Sequence, residues 1–158
     1  MKLSNSPTAA MLWSLCIPGF GQLYNRDYIN GLVLVALEFL INVQAKLNLA
    51  ILFSFRGQID VANQIADIQW LLFYPCVYSY SMWQAYNRAA QICRLHAEAS
   101  ENCHRLRYNG PFIGAAMGGT LGIIYLEAIG VVLGGILGMI AGAVIGCAAE
   151  RLVNRRFD

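Results

Sequence analysis

The chain has 158 residues, of which 58% are hydrophobic and only 13% charged, and its net charge is +2 at neutral pH. Soluble domains carry about 25% charged residues, so the deficit points to an all-α polytopic membrane protein rather than a water-soluble enzyme. A charge this small, without a basic run, zinc-finger spacing or RNA-binding motif, argues against a nucleic-acid partner.

In chain order, about five apolar segments are expected. The first, Ala9 to Tyr24, is short and interrupted by Pro18, Gly19 and Gly21. One basic residue precedes it and no small-residue cleavage site follows, so it reads as retained rather than as a signal peptide. It either crosses with its N-terminus outside or is re-entrant. A polar link follows, Tyr24-Asn25-Arg26-Asp27-Tyr28. Its tyrosines suit the headgroup level, and Arg26 and Asp27 can pair with each other or with headgroups.

The second segment, Gly31 to Phe55, exceeds the ~20 helical residues a bilayer core requires. On one continuous helix Glu38, Asn42 and Lys46 fall at i, i+4 and i+8 and form a polar stripe. Ionisable groups inside a membrane helix are costly and face the bundle interior or a water-filled path. The preferred reading is an internal hydrogen-bond clasp with Lys46 snorkelling outwards; the sharper alternative is an ion or proton route centred on Glu38. The third segment, Ile68 to Tyr86, carries Tyr74, Tyr78, Tyr80, Trp83 and Tyr86, and Pro75 is expected to kink it.

Residues 88–109 form a polar cytoplasmic helix or linker with four arginines. They include Cys93, His96, Cys103 and His104, spaced C-x2-H-x6-C-H. Cys103 and His104 are adjacent and would diverge on a helix, and the spacing matches no usual zinc module, so no metal or cofactor is assigned. The five cysteines form no even framework, which argues against a disulfide scaffold.

The fourth and fifth segments, Pro111 to Tyr125 and Gly130 to Ala149, hold a glycine ladder. Gly110, Gly114, Gly118, Gly122, Gly130, Gly134, Gly138, Gly142 and Gly146 share one four-residue register that skips only Leu126. Residues 114–125 (GAAMGGTLGIIY) and 130–141 (GVVLGGILGMIA) repeat one pattern at an offset of sixteen. In lipid, helices gain little from hydrophobic burial against each other, and small residues permit close backbone packing instead. A single helix from 112 to 149 would be roughly 57 Å long, too long for a bilayer. The ladder is therefore expected to be a helical hairpin turning near Leu126-Glu127. Because an ideal helix drifts ~40° for every four residues, two straight arms are expected to touch along only part of the ladder. The remaining glycines would then stay open to another surface, such as a second copy. Arginines in 88–109 and at 151, 155 and 156 place that segment and the C-terminus in the cytoplasm by the positive-inside rule.

The stretch Pro18-Gly19-Phe20-Gly21-Gln22-Leu23-Tyr24-Asn25-Arg26-Asp27, with Gly31 at the start of the next helix, resembles the bacterial two-transmembrane-helix domain family. Members often read PGxGQxYN here and close with a Trp and Asp-Ala-Tyr. This chain has Met82-Trp83-Gln84-Ala85-Tyr86, with Gln84 in place of the aspartate. The resemblance covers about residues 8–90 and implies a pair of membrane helices joined by a short polar link; it implies no activity. The ladder resembles the glycine-zipper segments of bacterial membrane proteins, which implies tight packing, oligomers and sometimes pores.

The expected organisation is a membrane bundle over 1–87, a linker over 88–109, the hairpin over 110–149 and a basic tail over 150–158. No catalytic motif is present. The expected function is non-enzymatic, in the plasma (inner) membrane: a small protein that packs against itself or against partner membrane proteins. The alternative is an oligomeric channel or pore, including a toxin- or holin-like one. The ladder offers Thr120 and Glu127 as its polar side chains between Phe112 and Ala149, which is little for a water-filled lining.

Overall fold

The structure, a computed structural model, describes residues 6–96 and 109–154. Among the described residues every regular element is helical: α1 Pro7–Cys16, α2 Phe20–Tyr24, α3 Tyr28–Ala45, α4 Leu47–Phe55, α5 Ile59–Ile65, α6 Ile68–Leu71, α7 Tyr74–His96, α8 Gly110–Tyr125 and α9 Val131–Asn154. A single 3₁₀ turn, Glu127–Ile129, joins α8 to α9.

Two of these helices are long and apolar enough to cross a membrane, Tyr28–Ala45 and Val131–Val153, and Gly110–Tyr125 is a shorter apolar helix. Of the five or so apolar segments expected, the second, third and fifth long enough to span and the first and fourth marginal, two therefore contain a helix of spanning length, and each break along the chain has a local cause. In the first segment Pro18 and Gly19 stop α1, and α2 folds back on it. At ten and five residues neither helix spans a bilayer core alone. The second segment breaks at Lys46, which adopts a left-handed φ of 52° between α3 and α4. Lys46 therefore does not extend the stripe of Glu38 and Asn42. It is exposed, while Asn42 reaches across the break to Asn48. The third segment divides between α6 and α7. Pro75 is the second residue of α7, so it starts that helix rather than kinking it; its missing N–H belongs to the first turn, where no intrahelical partner exists.

The chain forms two compact units that do not follow the expected partition at residues 87 and 109. One comprises Met1–Glu38 with Tyr80–Arg107, the other Phe39–Ser79 with Tyr108–Asp158. In the first, Ala10, Ala85 and Ala89 form a fully buried core of small side chains against which Tyr24 packs. In the second, Ile41, Ala45, Ala50, Ala66, Leu71, Tyr74, Ile123 and Val131 form the core. The Asp67 N–H donates to Ala45 O at the end of α3, and the Asp67 carboxylate accepts from the N–H groups of Gln69 and Trp70, capping α6.

The outer sides of the two long helices are as apolar as the core. Among the described residues the buried polar side chains are Ser14, Gln22, Asn25, Ser79 and Ser81. The exposed side of α3 carries Leu32, Val33, Leu37, Phe39, Leu40 and Val43, and that of α9 carries Leu133, Ile136, Leu137, Ile140, Val144 and Ile145. Only 22% of each of these two helices is buried, whereas the core helix of a soluble domain is mostly buried.

Candidate functional site

The glycine seam lies wholly within the second unit. The arms run antiparallel and pair glycine with glycine: Gly110 with Gly146, Gly114 with Gly142, Gly118 with Gly138, Gly122 with Gly134. A Cβ built on any of these eight residues would fall inside the van der Waals envelope of a backbone carbonyl oxygen on the facing helix. The backbones are thus in direct contact, which only glycine on both sides allows. Contact runs the whole length of the ladder, contrary to the expectation from straight helices. No ladder glycine of the two arms is left over for a second copy.

Gly130 departs from its expected packing role. It shares the register but lies in the turn, with φ of 98°, and the nearest atoms a Cβ there would meet are the Ile59 side chain at 3.4 Å and Asn63 Oδ1 at 3.9 Å, ordinary contacts. Its glycine is required by the left-handed backbone that reverses the chain. The second glycine of each doublet faces elsewhere: Gly119 approaches Pro75 and Met139, and Gly135 approaches Ile123.

Both ends of the hairpin are closed by polar side chains that sequence reading did not single out. At the open end Glu150 of α9 receives the Gly110 N–H on Oε2 at 2.9 Å and the Asn109 N–H on Oε1 at 3.2 Å. These amides stand at the start of α8, where the helix supplies no main-chain acceptor, the Asn109 side chain does not cap, and a negative charge is favoured. At the turn, Asn63 of α5 donates from Nδ2 to Glu127 O at 2.9 Å and accepts the Val131 N–H on Oδ1 at 3.0 Å. The only sequence signal for Glu150 is its spacing, one turn beyond Gly146 in the ladder register. Asn63 leaves none, because its partners are main-chain groups about sixty residues away. Glu150→Ala is expected to cost about 1–2 kcal/mol through the lost cap, and Glu150→Gln to recover part of it. Thermal unfolding of both variants in detergent checks this.

The second constellation lies in the first unit and accounts for the PGFGQLYN stretch. Gln22 is fully buried. Its Nε2 donates to Ser81 O at 2.9 Å, and its Oε1 accepts from Ser14 Oγ at 3.2 Å and Ser81 Oγ at 3.3 Å. The Gly19 N–H donates to Ser81 Oγ at 3.1 Å, and Asn25 Nδ2 to Ala85 O at 2.8 Å. One side chain from α2 thus ties α1 to α7. Glycines make this approach possible. Gly19 has φ of 105° and lies against Gly31 and Val35 of α3, and Gly21 lies against Ala10, Ser14 and Ala85. Pro18 is fully buried, Arg26 is exposed with a left-handed φ of 63°, and Tyr24 packs on the alanine core.

Asp27 accepts from Asn30 Nδ2 at 2.8 Å and from Gln84 Nε2 at 3.0 Å. The bond from Asn30, aided by that from Gln84 and by the charge of Arg88, holds its carboxyl below the ordinary aspartate value against the opposing effect of burial. Gln84 is therefore suited to its place: as an uncharged donor it meets Asp27, where an ionised aspartate would repel it.

Ser81, Ala85 and Ala89 recur every four residues on α7, and Ala10 and Ser14 do so on α1. These small-residue rows were readable in the sequence but masked by the aromatics around them. Of the polar stripe, Glu38 and Asn42 are half-buried. Cys103 and His104 lie outside the described residues, as does the His96 side chain. Cys93 is disulfide-bonded, so its sulfur has no thiolate to offer a metal. Among the described residues no group of three or more His, Cys, Asp or Glu is placed to hold an ion. Comparison with protein-family models, with curated proteins and with solved structures found no match.

Proposed function

We propose that this chain is a non-enzymatic, multi-pass membrane protein of the bacterial plasma membrane, a small scaffold or accessory subunit that offers rigid apolar helix faces to a second copy or to other membrane proteins. The observation carrying this reading is the apolar exterior: Leu, Ile, Val and Phe cover the outer sides of α3 and α9. Exposed aliphatic helices of this length are stable against lipid and aggregate in water. The relation to the two-transmembrane-helix domain family belongs to the same proposal, and the buried Gln22 node gives its motif a physical role.

The partner surface is the outer face of α9, since the ladder is consumed inside the hairpin. The pore reading is disfavoured by the same packing. The glycine seam has no room for water, and the Thr120 hydroxyl is engaged by Ala116 O at 3.0 Å. Membranes washed with alkaline carbonate are expected to retain the protein. An Ile140→Cys variant is expected to crosslink within the membrane, to itself or to a neighbour, while planar bilayers stay non-conducting. Release by carbonate would end the membrane reading, and sustained conductance would favour the pore.

Two signals bear on orientation and they oppose each other. The arginines of 88–109 favour the cytoplasm, whereas a disulfide at Cys93 favours an oxidising compartment. The proposal follows the arginines. A membrane-impermeant maleimide added to intact cells after mild reduction is then expected to leave Cys93 unlabelled; labelling would invert the topology.

A further inference from the structure

We infer that the hairpin is built for a bilayer thinner than average, and that acyl-chain length is a determinant of its stability. The inference rests on the membrane reading above. Its observation is the distance between the polar closures of the hairpin.

The Glu150 carboxylate is held at the level of Gly110, because it accepts the Asn109 and Gly110 N–H groups. This prevents it from moving outwards without uncapping α8. At the other end, Glu127 is exposed in the turn, and its carbonyl is engaged by Asn63. The apolar run between the two is α8, sixteen residues. At 1.5 Å per residue this is about 24 Å, against a hydrocarbon core of about 30 Å. The deficit along α8 is thus about 6 Å, and tilting shortens the projection further. Tyr125, 77% exposed beside Glu127, is placed as an interfacial anchor at the same boundary.

The α3 span is close to the lower limit of spanning length. α3 has eighteen residues, about 27 Å, between Asp27 and the exposed Lys46. Asp27 is fixed by Asn30 and Gln84. Most membrane helices adapt to a thick bilayer by letting long flanking side chains snorkel. Here the acidic flanks at Asp27 and Glu150 are short and already engaged at fixed sites, so only the opposite flank of each span, Lys46 or Glu127, is free to adjust and the bilayer takes up the rest.

The test is reconstitution of the full chain into phosphatidylcholine vesicles with dimyristoleoyl, dioleoyl or dierucoyl chains, with thermal stability and the correctly inserted fraction as readouts. The expected result is greatest stability in the shortest chains, with an inserted fraction roughly tenfold lower in the longest, as a mismatch of this size implies. A Glu127→Leu variant, which extends the apolar run at the exposed end, is expected to move the optimum towards longer chains. An optimum in dioleoyl or longer chains, an equal response to all three, or an unchanged optimum in the variant would overturn the inference while leaving the membrane reading intact. Failure to float with any vesicle would instead remove the membrane reading itself.

Discussion

Gly142→Ala is expected to break the hairpin, whereas Gly135→Ala, seven residues away on the same helix, is expected to be nearly neutral. In an exposed helix either change would stabilise by about 0.5–1 kcal/mol, since alanine is the better helix former. At Gly142 the new methyl meets Gly114 O, and behind it the Gly114 carbonyl carbon and the Gly118 Cα. All are main-chain atoms, so relief requires moving one helix bodily away from the other and undoing the neighbouring pairs. Overpacking against yielding side chains costs about 1–3 kcal/mol, and a backbone obstacle places this variant at or above the top of that range. At Gly135 the methyl meets only the Ile123 side chain, at 3.0 and 3.5 Å, and a small rotation accommodates it.

Thermal unfolding in detergent should therefore separate the two variants clearly. An Ala141→Leu control, on the exposed side of α9, should stay within about 0.5 kcal/mol of the parent. Because the ladder is satisfied within one chain, Gly142→Ala should lose stability without any preceding change in oligomeric state. Dissociation of an oligomer into folded protomers would show that the glycines serve an interface between copies. Equal effects at 135 and 142 would show that the seam is not the closest contact.

The contrast between these glycines marks what the sequence made legible. A strict four-residue period in an apolar run announces backbone contact, and the skip at Leu126 announces the turn. The period could not say that the contact runs the full length, because straight ideal helices diverge. The pairing of both arms over 110–122 and 134–146 is a property of the assembled hairpin. Nor could the period distinguish Gly130, whose glycine serves a left-handed turn rather than a contact. Breaks were the least legible feature. Lys46 is no helix breaker by propensity, and nothing local marks it as left-handed. Its conformation goes with the Asp67-to-Ala45 hydrogen bond, which caps α3 from a residue more than twenty positions away. Pro75 was visible, but whether a proline kinks or starts a helix depends on where the helix begins. The polar closures at Glu150 and Asn63 depend on main-chain groups, which have no signature in side-chain spacing.

The Gln22 node makes the second large prediction. Gln22→Ala removes a buried side chain that accepts two hydroxyl hydrogen bonds and donates one to a carbonyl. The substitution combines a cavity with the desolvation cost of hydroxyls left unpaired, about 1–3 kcal/mol for each unsatisfied group. Ser81→Ala strands the Gly19 N–H, whose geometry is already constrained by φ of 105°. Each change alone is expected to lower stability by about 2–4 kcal/mol. The two are not independent, because Gln22 Oε1 and Ser81 Oγ face each other and Gln22 Nε2 reaches the Ser81 carbonyl. The double variant should therefore lose less than the sum of the singles, with a coupling of about 1–2 kcal/mol. Ser14→Ala, which removes one donor and leaves Gln22 its other partners, should be the mildest of the three. Additive losses would mean that Gln22 and Ser81 act through separate contacts. The PGFGQLYN stretch would then owe its form to its glycines alone, and the buried amide would have to be explained by a ligand or partner that reaches it.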